Sequence, residues 1–75
     1  MTCNIHLKEI NDVYKLVNIL VGFDGDVDLE SGRYKVDGKS ILGIFSLDLR
    51  QPIKLTYEGE REAELKDKLE HLIVE

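Results

Sequence analysis

The stretch Asp37-Gly38-Lys39-Ser40-Ile41-Leu42-Gly43-Ile44-Phe45-Ser46-Leu47-Asp48-Leu49 constrains the fold most. Asp37-Gly38 is a turn signal, because glycine takes positive φ without steric cost. Ser40 stands where an N-cap belongs, just ahead of an apolar run. Ile41, Leu42, Ile44, Phe45 and Leu47 carry more apolar surface than a helix of about two turns can hide on one face. Part of that surface is expected to stay exposed, and exposed apolar surface marks a partner.

The flanking segments supply the rest of one small domain over residues 1–75. Thr2 to Leu7 alternates, with Cys3, Ile5 and Leu7 inward, and reads as a strand over 2–7. Ile10, Val13, Val17, Leu20 and Val21 follow helical spacing and predict a helix over 10–21 that Gly22 stops. Asp26 to Glu30 alternates with Val27 and Leu29 inward. The Ser31-Gly32 hairpin signal then leads into a strand over 33–37. The helix over 40–47 follows. Pro52 is tolerated at the start of a strand spanning 51–57, and Leu65, Leu69, Leu72 and Ile73 stripe a last helix over 60–74. A single sheet covered on one face by helices suits so short an α+β chain. The expected core adds Val36, Ile44, Leu47, Ile53 and Leu55 to the inward residues of these elements.

Composition excludes several functions. The net charge is −5 and there is no Lys/Arg stripe, which argues against nucleic acid and against an anionic membrane surface. No apolar run approaches the ~20 residues of a membrane span, so a cytoplasmic protein is expected. A single cysteine, Cys3, removes any internal disulfide or Cys-based zinc site, and it reads as a small buried hydrophobe. Asp24, Asp26 and Asp28 lack the glycine and closing glutamate placement of a calcium loop. No metal and no cofactor is expected. His6, on the outer face of the first strand, and His71, off the last helix's stripe, read as surface residues.

Lys39-Ser40-Ile41-x-Gly43-x-x-Ser46-Leu47 resembles the regulatory-serine segment of HPr, the small phosphocarrier of the bacterial phosphoenolpyruvate-dependent sugar phosphotransferase system. The likeness extends upstream without a gap through Asp26-Val27-Asp28-Leu29-Glu30 and downstream through a strand and an acidic helix. It implies an open-faced sandwich: four antiparallel strands in the order 1-4-2-3, three helices on one face, the other face open to water. It also implies Ser40 as a phosphorylation site and Ile41, Leu42 and Phe45, with Lys39, as residues that meet partners. Those partners would be phosphotransferase-system enzymes or regulators, met by a bacterial monomer that is not itself an enzyme.

The family's phosphoryl chemistry sits in a Gly-x-His-x-Arg-Pro loop ahead of the first helix. The ungapped match puts Glu9 at the His position, Asn11 at the Arg position and Asp12 at the Pro position. No catalytic residue is therefore assigned. Carboxylates at 9 and 12 would repel an incoming phosphoryl group, and in a first helical turn they complement the macrodipole. The expected function is an HPr-like binding or regulatory module that has lost phosphohistidine carriage. The alternatives are a working phosphocarrier using His6 or Glu9, or an interaction domain that shares only the fold.

Overall fold

The computed structural model describes residues 1–74. The chain runs β1 (Thr2–Ile5), α1 (Ile10–Leu20), β2 (Asp26–Ser31), β3 (Tyr34–Asp37), α2 (Ile41–Phe45), β4 (Ile53–Glu58), α3 (Glu62–Leu69) and β5 (Ile73–Val74). All pairings are antiparallel, in the order β3-β2-β4-β1-β5. The expected order of the first four strands is present. The expectation of four strands is not: a fifth, β5, pairs the outer edge of β1 through Asn4↔Val74 and Ile5↔Ile73.

That fifth strand shortens the last helix. A helix over 60–74 was expected, yet α3 ends at Leu69. The chain tightens there through short-range bonds from Leu72 N to Leu69 O (2.8 Å) and Ile73 N to Glu70 O (3.3 Å). Ile73 and Val74 are β-branched, favour extended backbone, and satisfy an edge that β1 would otherwise leave bare. Leu72 is buried on either path, so helical spacing could not distinguish them.

Period-two alternation sorts the sheet into two faces. Ile5, Val27, Leu29, Ile53, Leu55 and Tyr57 turn inward and are buried. The other face carries a cross-strand row Asn4–Lys54–Glu30–Lys35. Ion pairs from Lys35 Nζ to Asp28 (3.5 Å) and Lys54 Nζ to Glu30 (3.7 Å) lie along it. Such exposed pairs contribute about 0–1 kcal/mol each, so this face sets solubility and register rather than stability.

Helix α1 buries Val13, Leu16 and Leu20. The stripe is rotated from the expected one: Val17 is only half-buried, and Ile10 and Val21 at the helix ends are exposed. Leu16 and Val17 both fit helical spacing, and the helix settles with the longer Leu16, not branched at Cβ, inward. Val36 is half-buried because β3 is an edge strand. Phe23, just past α1, and Tyr57 join the core and meet edge to face at 6.2 Å. The Tyr57 hydroxyl donates to Asp24 O at 2.9 Å, so its polar end is satisfied.

Candidate functional site

The loop joining β1 to α1 lies beside the link from α2 to β4. Together they form a shallow groove of about 530 Å³, lined by His6 to Ile10 and Leu47 to Arg50. Glu9 is the N-cap of α1 with extended backbone (φ −131°, ψ 157°). The first amides of a helix have no partner within it and make a natural anion seat. Here a carboxylate already stands at that end of the helix. Asp12 Oδ2 accepts from Lys8 N (3.0 Å) and from Glu9 N (3.1 Å). The carboxylate at the third helical position thus ties down the amide of the cap residue and the one before it, and sets negative charge there.

One cation of the groove is committed to a neighbour. Arg50 grips Asp48 with Nε on Oδ1 (3.0 Å) and Nη2 on Oδ2 (3.2 Å). The Arg50 hydrogen bonds hold the Asp48 carboxyl below the usual carboxylate range, and the same bonds raise the guanidinium. His6 is half-buried, and its backbone N donates to Leu72 O at 2.9 Å. No arginine stands beside Glu9 in the positions the loop chemistry asks for, since residue 11 is Asn.

The second region is built around α2. Ser40 caps it: φ is −99°, ψ 105°, and its Oγ accepts from Gly43 N at 3.2 Å. Ser40 itself is exposed. The preceding Asp37-Gly38 turn forms, but not for the expected reason. Among the described residues only Gly25 and Gly32 have positive φ. Gly38 is needed because it is buried against Val27: a Cβ there would lie 2.7 Å from Val27 Cγ1.

On the outer surface of α2, Leu42 is 81% exposed and Phe45 40% exposed, whereas Ile41 is half-buried against the core. The Phe45 ring meets Tyr14 of α1 edge to face at 6.2 Å, which fixes the two helices into one surface. Ile10, 65% exposed, lies one helical turn before Tyr14 on the same side of α1. Sequence reasoning missed both contributors. Ile10 fitted the buried stripe, and Tyr14 drew no reading; its i, i+4 spacing from Ile10 was the available signal.

Lys39 is not presented to this surface. Its ammonium turns inward and donates to Phe23 O (2.7 Å) and Gly25 O (3.3 Å), beyond the end of α1. Arg61 holds the same loop from the other side. Its Nη1 donates to Gly22 O (3.0 Å), its guanidinium lies 4.3 Å over the Phe23 ring, and it is paired with Glu64 (2.6 Å). The hydrogen bond to Arg61 lowers the Glu64 carboxyl and raises Arg61.

Comparison with known proteins brings these features together. A family model described as "PTS HPr component phosphorylation site" matches residues 10–75. HPr-C-His from Thermoanaerobacter tengcongensis superposes with a TM-score of 0.77 at 32% identity, over 97% of this chain and 88% of that one. Phosphocarrier protein HPr from Bacillus anthracis gives 0.74 at 25% identity, over 99% and 94%. The catabolite-repression protein Crh of Bacillus subtilis, described as a domain-swapped intertwined dimer, gives 0.67 at 26% identity, over 96% and 88%. No curated protein matches.

Proposed function

The chain belongs to the HPr family, and from that premise we propose that it is a binding and regulatory member that no longer carries phosphohistidine. One observation carries the reading: the Asp12 carboxylate already occupies the amides of Lys8 and Glu9. Phosphoryl transfer to this loop needs a nucleophile whose phosphoryl bond exchanges readily, and an electropositive seat for the group. Glu9 supplies a carboxylate, and Asp12 adds a second negative charge at the helix start. Incubation with enzyme I and labelled phosphoenolpyruvate is expected to leave the chain unlabelled. Acid-labile label on His6, or acyl phosphate on Glu9, would overturn the reading in favour of a working carrier.

The partner surface is the one made by Leu42, Phe45, Tyr14 and Ile10, with Ile41 behind it. Partners are enzymes or regulators of the phosphotransferase system, met by a cytoplasmic monomer. Sedimentation at micromolar protein tests the monomer, because Crh of Bacillus subtilis is described as a dimer. Ser40 lies at the edge of this surface and is the candidate for phosphorylation by an HPr-type serine kinase. The Ser40 Oγ–P bond forms as the γ-phosphoryl leaves ADP, and the hydroxyl proton passes to the kinase's base. Phosphate there places nearly two negative charges beside the apolar patch and changes which partners it accepts. Mass spectrometry after kinase and ATP treatment decides it; an unmodified wild type leaves Ser40 a helix cap only.

A further inference from the structure

The C-terminal end of α1 carries no basic residue in its last turn. The loop just beyond that end is held from outside. The carbonyls of four consecutive residues each accept from a side chain of another segment: Gly22 from Arg61, Phe23 from Lys39, Asp24 from Tyr57 and Gly25 from Lys39. Two of the four depend on one ammonium, that of Lys39. Cations near a helix C-terminus are stabilising through the aligned carbonyl dipoles.

Lys39 is also the residue before Ser40. Helix α2 is only five residues long, so its own dipole offers a phosphate little. Ser40 Oγ is occupied with a single amide, that of Gly43. Asp37, whose Oδ1 accepts from Lys39 N at 2.9 Å, adds negative charge on the near side. A dianion on Ser40 therefore has the cation of its chain neighbour Lys39 to draw on, and that cation is already holding the loop beyond α1.

We infer that Lys39 couples Ser40 to the loop of residues 22–25: phosphate on Ser40 draws the Lys39 ammonium off the Phe23 and Gly25 carbonyls and loosens that loop. The inference rests on the reading of Ser40 as a modified residue and adds its structural consequence. The charge-assisted bond to a phosphate is stronger than one to a neutral carbonyl, which sets the direction of the exchange. Arg61 and Tyr57 keep their own carbonyls, so the loop loosens locally and the core stays closed. The modification is then read at two places, the apolar patch beside Ser40 and the far end of α1.

The test uses the full chain made by chemical synthesis with phosphoserine or serine at position 40, so it does not depend on any kinase. Failure of a kinase to modify Ser40 would count against the functional reading alone. The amides of Gly22 and Phe23 donate to Ile19 O (3.2 Å) and Leu20 O (3.0 Å) and report the loop by hydrogen exchange. Phosphoserine is expected to speed their exchange about tenfold, with sheet amides such as Leu29 and Leu55 unchanged. The Lys39→Met chain should exchange fast at both amides already and gain nothing from phosphoserine. Unchanged exchange at Gly22 and Phe23 in the phosphorylated wild-type sequence overturns the inference, as does equal acceleration in Lys39→Met. If Lys39→Met does not fold, the ¹³C shifts of the Phe23 and Gly25 carbonyls in the two Lys39 chains decide: a change supports the inference, and no change overturns it.

Discussion

Removing the Asp12 carboxylate tests the reading of the β1–α1 loop most directly. In Asp12→Ala, the amides of Lys8 and Glu9 lose the acceptor that now lies 3.0 and 3.1 Å away. Both amides are in exposed surroundings, so water replaces the carboxylate and no buried group is orphaned. The loss is that of a helix cap, about 1 kcal/mol, plus about 0.3–1 kcal/mol of dipole interaction. Alanine's better helix propensity returns about 0.5 kcal/mol. The net is a destabilisation of about 1 kcal/mol, or roughly 4–8 °C in Tm for a domain of this size. Urea unfolding of wild type, Asp12→Ala and Asp12→Asn measures it, with Asn intermediate because it keeps an acceptor and loses the charge. Raising the salt should shrink only the dipole part. The chemistry follows the same residue. Glu9→His with Asn11→Arg is expected to accept almost no label from enzyme I while Asp12 remains, and to accept some once Asp12→Ala is added. If Asp12→Ala matches wild type within about 0.3 kcal/mol, the carboxylate is not holding the loop and the argument from its two amide bonds fails.

Phe45→Ala should weaken partner capture yet cost only about 1–2 kcal/mol in urea unfolding, less than the ~3–5 kcal/mol of emptying a core site, because the ring is 40% exposed. Ser40→Ala should cost about 1 kcal/mol through loss of its bond to Gly43 N, whether or not the residue is ever modified. Gly38→Ala should cost about 1–3 kcal/mol or more, since its Cβ would press on Val27, and a tolerated substitution would show the turn free to move. Asp48 and Glu64 should titrate below ordinary Asp and Glu by NMR, each returning upward in Arg50→Gln and Arg61→Gln respectively. With folded pKa values depressed, whatever stability these exposed pairs add is present above the unfolded pKa values and is lost as pH falls through the folded ones.

The sheet was legible because alternation has no competing reading in Asp26 to Glu30 or Ile53 to Tyr57, and each run ends at a turn residue. The end of the chain was not, because Leu72 is buried whether Ile73 and Val74 continue a helix or start a strand. Only the presence of β1's bare edge selects the strand, and that edge is a tertiary fact. The stripe of α1 failed by one position for a similar reason: Leu16 and Val17 are adjacent candidates, and the sheet beneath chooses. Ser40 as a cap and Leu42 and Phe45 as exposed residues followed from local chemistry and the limited width of a short helix. The inward turn of Lys39 did not, since its acceptors, Phe23 and Gly25, are remote in sequence and belong to a loop with no periodicity. Asp12 was recognised as an acid in a first turn, but the two amide bonds it accepts depend on where the backbone of Lys8 and Glu9 points.

The position of β1 governs when the molecule can come into being. It leaves the ribosome before the other strands, yet both its neighbours come late: Ile5 pairs with Ile53 on one side and Ile73 on the other. Until β4 is made, β1 has nothing to pair with, and the hairpin of β2 and β3 is too small to stand alone. Synthesis from the N-terminus therefore yields no growing native core, only a chain that waits and then closes in one cooperative step with high contact order. Nascent chains stalled before Pro52 should be as protease-sensitive as an unfolded peptide. Chains whose Val74 has emerged should become resistant all at once, which makes β4 and β5 the timing element of the fold.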